Sequence, residues 1–188
     1  MTLLEIIERA LINLSEDTDA DTVEEYKDEY GIVGYINQAY FAIVENDWKP
    51  YKTATVTLDA DSMLDFSDIS DLREIISIKS GEILPIVEYG EASDKIKVHT
   101  TPLSAVVVKY YHTTVPLASD TDEPVFPLQY HDALSDFATY RILITGSLTR
   151  QQRAQAFYID YAKKRGEVRE AASKRLKIIH QNKFHNRF

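Results

Sequence analysis

The sequence predicts an α+β fold: a helical bundle of about four helices, an antiparallel β insertion between helix 2 and helix 3, and an extended basic C-terminal tail. Three observations predict it. Apolar residues recur at helical spacing up to Trp48 and again from Leu128 onward. Between these regions, short β-branched segments alternate with stretches rich in Asp, Gly, Ser and Pro. Past Arg169 the chain turns basic and poor in apolar residues.

Thr2-Leu3-Leu4-Glu5 opens the first helix with a capping box, the Thr2 hydroxyl taking one orphan N–H and Glu5 reaching back for another. Leu3, Leu4, Ile7, Leu11 and Leu14 then share a face. SEDTDADT ends this helix, and Thr22-Val23-Glu24-Glu25 repeats the capping pattern. Val23, Tyr26, Tyr30, Val33, Tyr40 and Val44 keep a helical period, with a break expected near Gly31 and Gly34 and an end at Trp48 and Pro50.

Five strands follow by this reading: TATVTL, EIISIKS, ILPIVEY, KIKVHT and AVVVKYYHTTV. They predict one small antiparallel sheet, with Pro85 at an edge or bulge because it cannot donate to a ladder. Pro127 then suits a first helical turn, and Leu128, Leu134, Phe137, Ala138, Arg141, Ile142 and Ile144 carry a helix to Gly146. A last helix runs through Ala154, Phe157, Tyr158, Tyr161, Ala162 and Val168 before the expected tail. The segments are 1–50, 51–116 and 117–188, parts of one composite domain.

With 188 residues the chain buries enough surface to fold without staples. It has no cysteine, which excludes disulfides, thiolate metal sites and cysteine nucleophiles. The acidic start MTLLEIIERALINLSED is unlike a signal peptide, and no apolar run reaches the ~18 residues of a membrane span. The expectation is a soluble protein made inside a cell. Net charge is −9, yet residues 141–188 hold 12 Lys and Arg against 3 Asp and Glu, a local +9 that leaves −18 for the rest.

His131, Asp132 and Asp136 are the nearest approach to an acid/base group. Adjacent helical residues point about 100° apart, so His131 and Asp132 cannot pair, and Ser135 is the natural i+4 partner of His131. Acids in a first helical turn also complement its positive end. His99 and His112 lack metal-spaced neighbours, and His180 and His185 stand five apart. DADSMLDFSD lacks the glycine and closing glutamate of a calcium loop, and no phosphate-binding or nucleophile-elbow motif is present. The reading expects no catalytic residue, no metal and no cofactor.

The basic end, with Lys163, Lys164, Arg165, Arg169, Lys174, Arg175, Lys177, Lys183 and Arg187, fits either phosphates or an acidic protein surface. The acidic whole, with a pI near 5.0, favours the protein partner. Twelve tyrosines, several on helical faces with aliphatics, leave core and subunit interface both open.

A helix reading INQAYFAIVENDW before a β insertion, a Pro-containing return into PVFPLQYHDALSDFATYRIL, then RQQRAQAFYIDYAKKRGEVREA and a basic end together resemble the head–tail connector (adaptor) proteins of tailed bacteriophages. The resemblance spans about Val23 to Lys174. It implies a structural, non-enzymatic virion subunit, made in the host cytoplasm and located at the neck. It also implies a ring of copies, typically twelve, beneath the portal protein, extending the DNA channel toward a tail-side neck or tail protein. Packaged DNA would pass through the lumen without sequence-specific binding, and no membrane would be involved. In this family the C-terminal segment commonly reaches into the portal, which implies portal docking for Lys174, Arg175, Lys177, Phe184, Arg187 and Phe188. Ring-interface candidates are Tyr35, Tyr40, Trp48, Tyr51, Tyr130 and Tyr140. The alternative from the residues is a nucleic-acid-binding module using the basic C-terminal helix.

Overall fold

The computed structural model describes residues 1–81, 87–89, 95–100 and 104–185, with backbone alone at 68, 87–89, 95 and 176–185. The chain divides into two compact units, Met1–Lys49 with Val115–Phe188, and Pro50–Thr114. The first is helical and built from both ends of the chain. The second is the β insertion.

In the helical unit, α1 (Leu3–Leu14) begins with the expected capping box: the Thr2 N–H donates to Glu5 Oε2 at 2.8 Å and the Glu5 N–H to Thr2 Oγ1 at 3.3 Å. Leu3, Ile6, Ile7, Ala10 and Leu11 are fully buried along its inner face. α2 (Ala20–Asp28) starts earlier than the Thr22 box implied. Asp19 caps it, its carboxylate accepting the Thr22 N–H at 2.8 Å, because an ionised acceptor outcompetes a hydroxyl for an orphan donor. α3 (Ile32–Ile43) is separate from α2, so the unit has three helices before the insertion where two were expected. Gly31 makes the break at φ +62°, a left-handed conformation that glycine takes without a Cβ penalty, whereas Gly34 stays helical.

α4 (Asp132–Ile144) follows a short 3₁₀ turn at Leu128–Tyr130, with Pro127 just ahead of it. It is the central element, packing on α1, α3 and α5, and every residue from Ala133 to Thr139 is buried. α5 (Leu148–His185) is a single 38-residue helix. Where the sequence suggested an extended tail, the backbone continues helical to His185, since Glu, Arg, Ala and Lys recur after Gly166 and no proline interrupts them.

The β unit corrects the expectation of one five-stranded sheet. Among the described residues, six strands form two three-stranded antiparallel sheets. One has the order β1 (Tyr51–Thr57), β6 (Ala105–His112), β3 (Leu72–Lys79). The other has β2 (Met63–Asp65), β5 (Lys95–Val98), β4 (Val87–Tyr89). β2 escaped notice because three residues among aspartates and serines carry no readable alternation. Pro85 lies outside the described residues. Val56, Leu64, Ile78, Ile96, Val98, Val106, Val108 and Tyr110 from both sheets, with Leu58 and Ile69 beside them, make this unit's own core.

Candidate functional site

The residues that looked most chemical each have their own partner. His131 is buried at 3% exposure, its Nε2 2.8 Å from the Phe126 carbonyl and its Nδ1 3.2 Å from that of Met1. It does not meet Ser135, whose hydroxyl donates to the Asp132 carbonyl at 2.9 Å. Burial pushes the imidazole below its ordinary value and outweighs the pull of the two carbonyls toward the charged form. Asp136 is also inside, its carboxylate 2.6 Å from Lys164 Nζ. Burial raises its pKa, and the ammonium offsets only part of that shift. Asp132, at the surface, lies 4.0 Å from Arg9. Histidine and both carboxylates therefore answer to different partners and never converge. Among the described residues, no group of three or more His, Asp or Glu is placed to hold a metal, and no helix is long and apolar enough to cross a membrane.

The most organised polar cluster lies where α3 ends. After Ile43 the helix widens into a π turn over Val44–Trp48, and Lys49 leaves it at φ +47°. This turn aims Asp47 inward, its side chain wholly buried. Arg165 Nε donates to Asp47 Oδ2 at 2.7 Å, and Arg169 donates to Oδ1 from Nε at 3.1 Å and Nη2 at 2.7 Å. One turn and a half further along α5, the Arg175 guanidinium lies 4.3 Å above the Trp48 ring and donates to the Trp48 and Lys49 carbonyls at 3.4 and 3.3 Å. Three arginines of α5 thus clamp the segment that leads into the β insertion. Sequence reading missed Asp47. The available signal was the i, i+4 spacing of Arg165 and Arg169, which places both guanidinium groups on one helical face in need of a shared acceptor.

A second fastening was equally unanticipated. Asn37 of α3 pairs with the backbone of Leu117, donating from Nδ2 to its carbonyl and accepting its N–H at Oδ1, both at 2.8 Å. This amide-to-amide match fixes the returning chain before α4.

The interface candidates separate. Tyr40, at 1% exposure, belongs to the core beside Phe126 and is unavailable as a surface, because its helical face is the inner one. Tyr35, Trp48, Tyr130 and Tyr140 are half-buried and pack on the helical core, with the Arg141 guanidinium 5.0 Å from the Tyr35 ring. Tyr51 belongs to the β unit, its ring under Lys109 Nζ at 3.9 Å. Tyr140 opens outward: its ring is 5.0 Å from that of Tyr158, which is 42% exposed and adjoins Ile159 at 58%. Leu128, read as the first residue of the helical run, lies instead in the 3₁₀ turn ahead of α4 and is exposed.

Of the tail candidates, Lys174 is exposed and paired with Glu170 at 2.7 Å, and Arg175 is engaged with Trp48. Lys177 and Phe184 lie on the described backbone of α5, and Arg187 and Phe188 lie outside the described residues.

The family described as SU10 adaptor protein matches residues 1–178, which takes in both units and α5 past the arginine clamp. No curated protein matches the chain.

Proposed function

We propose, from the premise that this chain belongs to the SU10 adaptor family of phage head–tail adaptors, that it is a structural subunit of the virion neck. Copies form a ring, most simply of twelve, under the portal protein and continue the DNA channel toward a tail-side neck or tail protein. DNA passes through the lumen without sequence readout, and the subunit performs no catalysis. The family match over residues 1–178 is the observation that carries this reading. The engagement of His131 and Asp136 with buried structural partners supports the non-enzymatic part. In this reading Tyr140, Tyr158 and Ile159 contribute to a contact between neighbouring subunits, since exposed aromatic and aliphatic groups beside a packed aromatic cluster suit an interface core. Docking into the portal falls to the end of α5, from Lys174 onward.

The alternative nucleic-acid module would have to compete for several of its basic residues. Lys164, Arg165, Arg169 and Arg175 already face Asp136, Asp47 and Trp48.

The test mixes purified protein with the portal ring of its phage and images the mixture by electron microscopy, beside a chain ending at Arg169. A stacked ring seen only with the full chain supports the adaptor role and assigns docking to the end of α5. Failure of the folded full chain to associate overturns it. Circular dichroism must show the shortened chain folded, because it lacks the Arg175 contact with Trp48.

A further inference from the structure

The two edges of the β1-β6-β3 sheet are unlike. β3 is interrupted twice, with register shifts between Leu72 and Glu74 and between Ile75 and Ser77, and it carries Arg73 and Glu74 at the first. Bulges and charges of this kind discourage a further strand. β1 has no bulge and only one charged residue. Its seven residues pair with β6 in unbroken register from Tyr51↔Tyr111 to Thr57↔Ala105. Its one charge, Lys52, is held by Asp71 at 2.6 Å.

The direction of each backbone group in β1 follows from two hydrogen bonds that bracket it. The Leu58 N–H donates to the Ser104 carbonyl at 3.0 Å, and the His112 N–H to that of Pro50 at 3.4 Å. In an antiparallel ladder the hydrogen-bonded pairs recur at every second residue, so Lys52, Ala54 and Val56 face β6. Thr53, Thr55 and Thr57 then turn their N–H and C=O groups to the outer edge, where no described strand pairs with them. Their side chains, all exposed, lie on the face opposite Val56 and Leu58.

We propose that this edge is an interaction surface for a second copy of the chain, β1 pairing antiparallel with β1 of its twin about a two-fold axis at Thr55. That register sets Thr55 against Thr55 and Thr53 against Thr57, so all six outward backbone groups find partners. It makes three threonine pairs on the open face, a favourable cross-strand match. On the other face Ala54 meets Val56, small against large, and Lys52 meets Leu58 with no like charge opposed. A strand of another protein would need its own complementary pattern, whereas β1 already contains one. The contact is short, so the pair is weak and concentration-dependent. It is isologous and requires no portal, and so stands apart from the ring reading.

Because the chain has no cysteine, single thiols read the register directly. In the proposed pair the two residues at position 55 lie about 5.5 Å apart between Cα atoms, inside disulfide range. Those at position 57 are offset by four residues, roughly 13 Å, which is beyond it. Under mild oxidation Thr55→Cys should give disulfide dimers at least tenfold faster than Thr57→Cys. Thr53→Cys and Thr57→Cys should cross-link when mixed and not separately. Adding Thr53→Pro to Thr55→Cys should abolish the dimer, since it removes an outward N–H and leaves the β6 ladder intact. Equal rates at positions 55 and 57, failure of the mixed pair to link, or folded Thr55→Cys that stays monomeric would each overturn the proposal, whatever the portal experiment gives.

Discussion

Protonating His131 places a charge in a site that burial has tuned for the neutral ring. Its pKa is lowered on folding, so its contribution is complete above the ordinary 6.5 and is lost as pH falls through the lowered folded value. Thermal melts of the wild type should therefore lose more stability between about pH 7 and about pH 5 than those of His131→Gln, which removes this titration. The two buried carboxylates should also behave differently. Asp47 is wholly enclosed and answers two guanidinium groups, so Asp47→Asn should cost about 3 kcal/mol, the low end for a broken buried pair because Arg169 can still reach water. Asp136→Asn should cost at most about 1 kcal/mol, since burial already disfavours the Asp136 charge and Lys164 can turn to solvent. Urea unfolding of the two variants side by side decides this, and equal costs would refute the ranking. Asn37→Leu should cost about 1–3 kcal/mol by stranding the Leu117 N–H and carbonyl.

Among the elements, those with a period written over several turns were legible, and those fixed by a distant partner were not. Leu3, Ile7 and Leu11 declare α1, and Thr2 with Glu5 declares its start. The threonines and valines of β1 and β6 declare strands. By contrast, no periodicity marks the polar residues Ser135 and Thr139 of α4 as inward. Ser135 and Thr139 are tolerated inside because each hydroxyl returns to a backbone carbonyl, and the sequence offers no sign of that. The π turn at Val44–Trp48 exists because Asp47 must reach two arginines more than a hundred residues away in the chain, so no local pattern betrays it. Two glycines in different conformations test the element scale. Gly166 sits in α5 with nothing near a built Cβ, so Gly166→Ala should raise stability by about 0.5–1 kcal/mol. Gly31→Ala should instead lower it by about 1 kcal/mol, because the left-handed φ penalises any side chain. Opposite shifts in melting temperature are the expected readout.

For the molecule as a whole, the adaptor reading separates folding from assembly. Ile159→Asp alters an exposed position on α5, so it should leave the melting temperature nearly unchanged while reducing the number of copies seated on portal rings. A large loss of stability would instead mark Ile159 as part of the fold. The family and α+β class were accessible from the order of the elements, and the adaptor family match bears out the resemblance. The surfaces were less accessible, because tyrosine marks core and interface alike: Tyr40 fills one and Tyr158 lies open.

The helical unit closes only when the second half of the chain returns to the first. α1 needs the Asp120 and Asp122 carbonyls for the N–H groups of Leu4 and Leu3, and Asp47 needs arginines as far along as Arg169. On the ribosome, at ~5–20 residues per second, Asp47 therefore waits roughly 6–25 seconds for its partners. The β unit is contiguous and can form in that interval. Nascent chains arrested once Thr114 has emerged from the ribosome, and before Arg165 has, should accordingly yield a protease-resistant fragment from residues 50–114, with residues 1–49 digested. The newborn protein thus passes through a stage in which its middle is finished and its beginning is still exposed to chaperones and proteases.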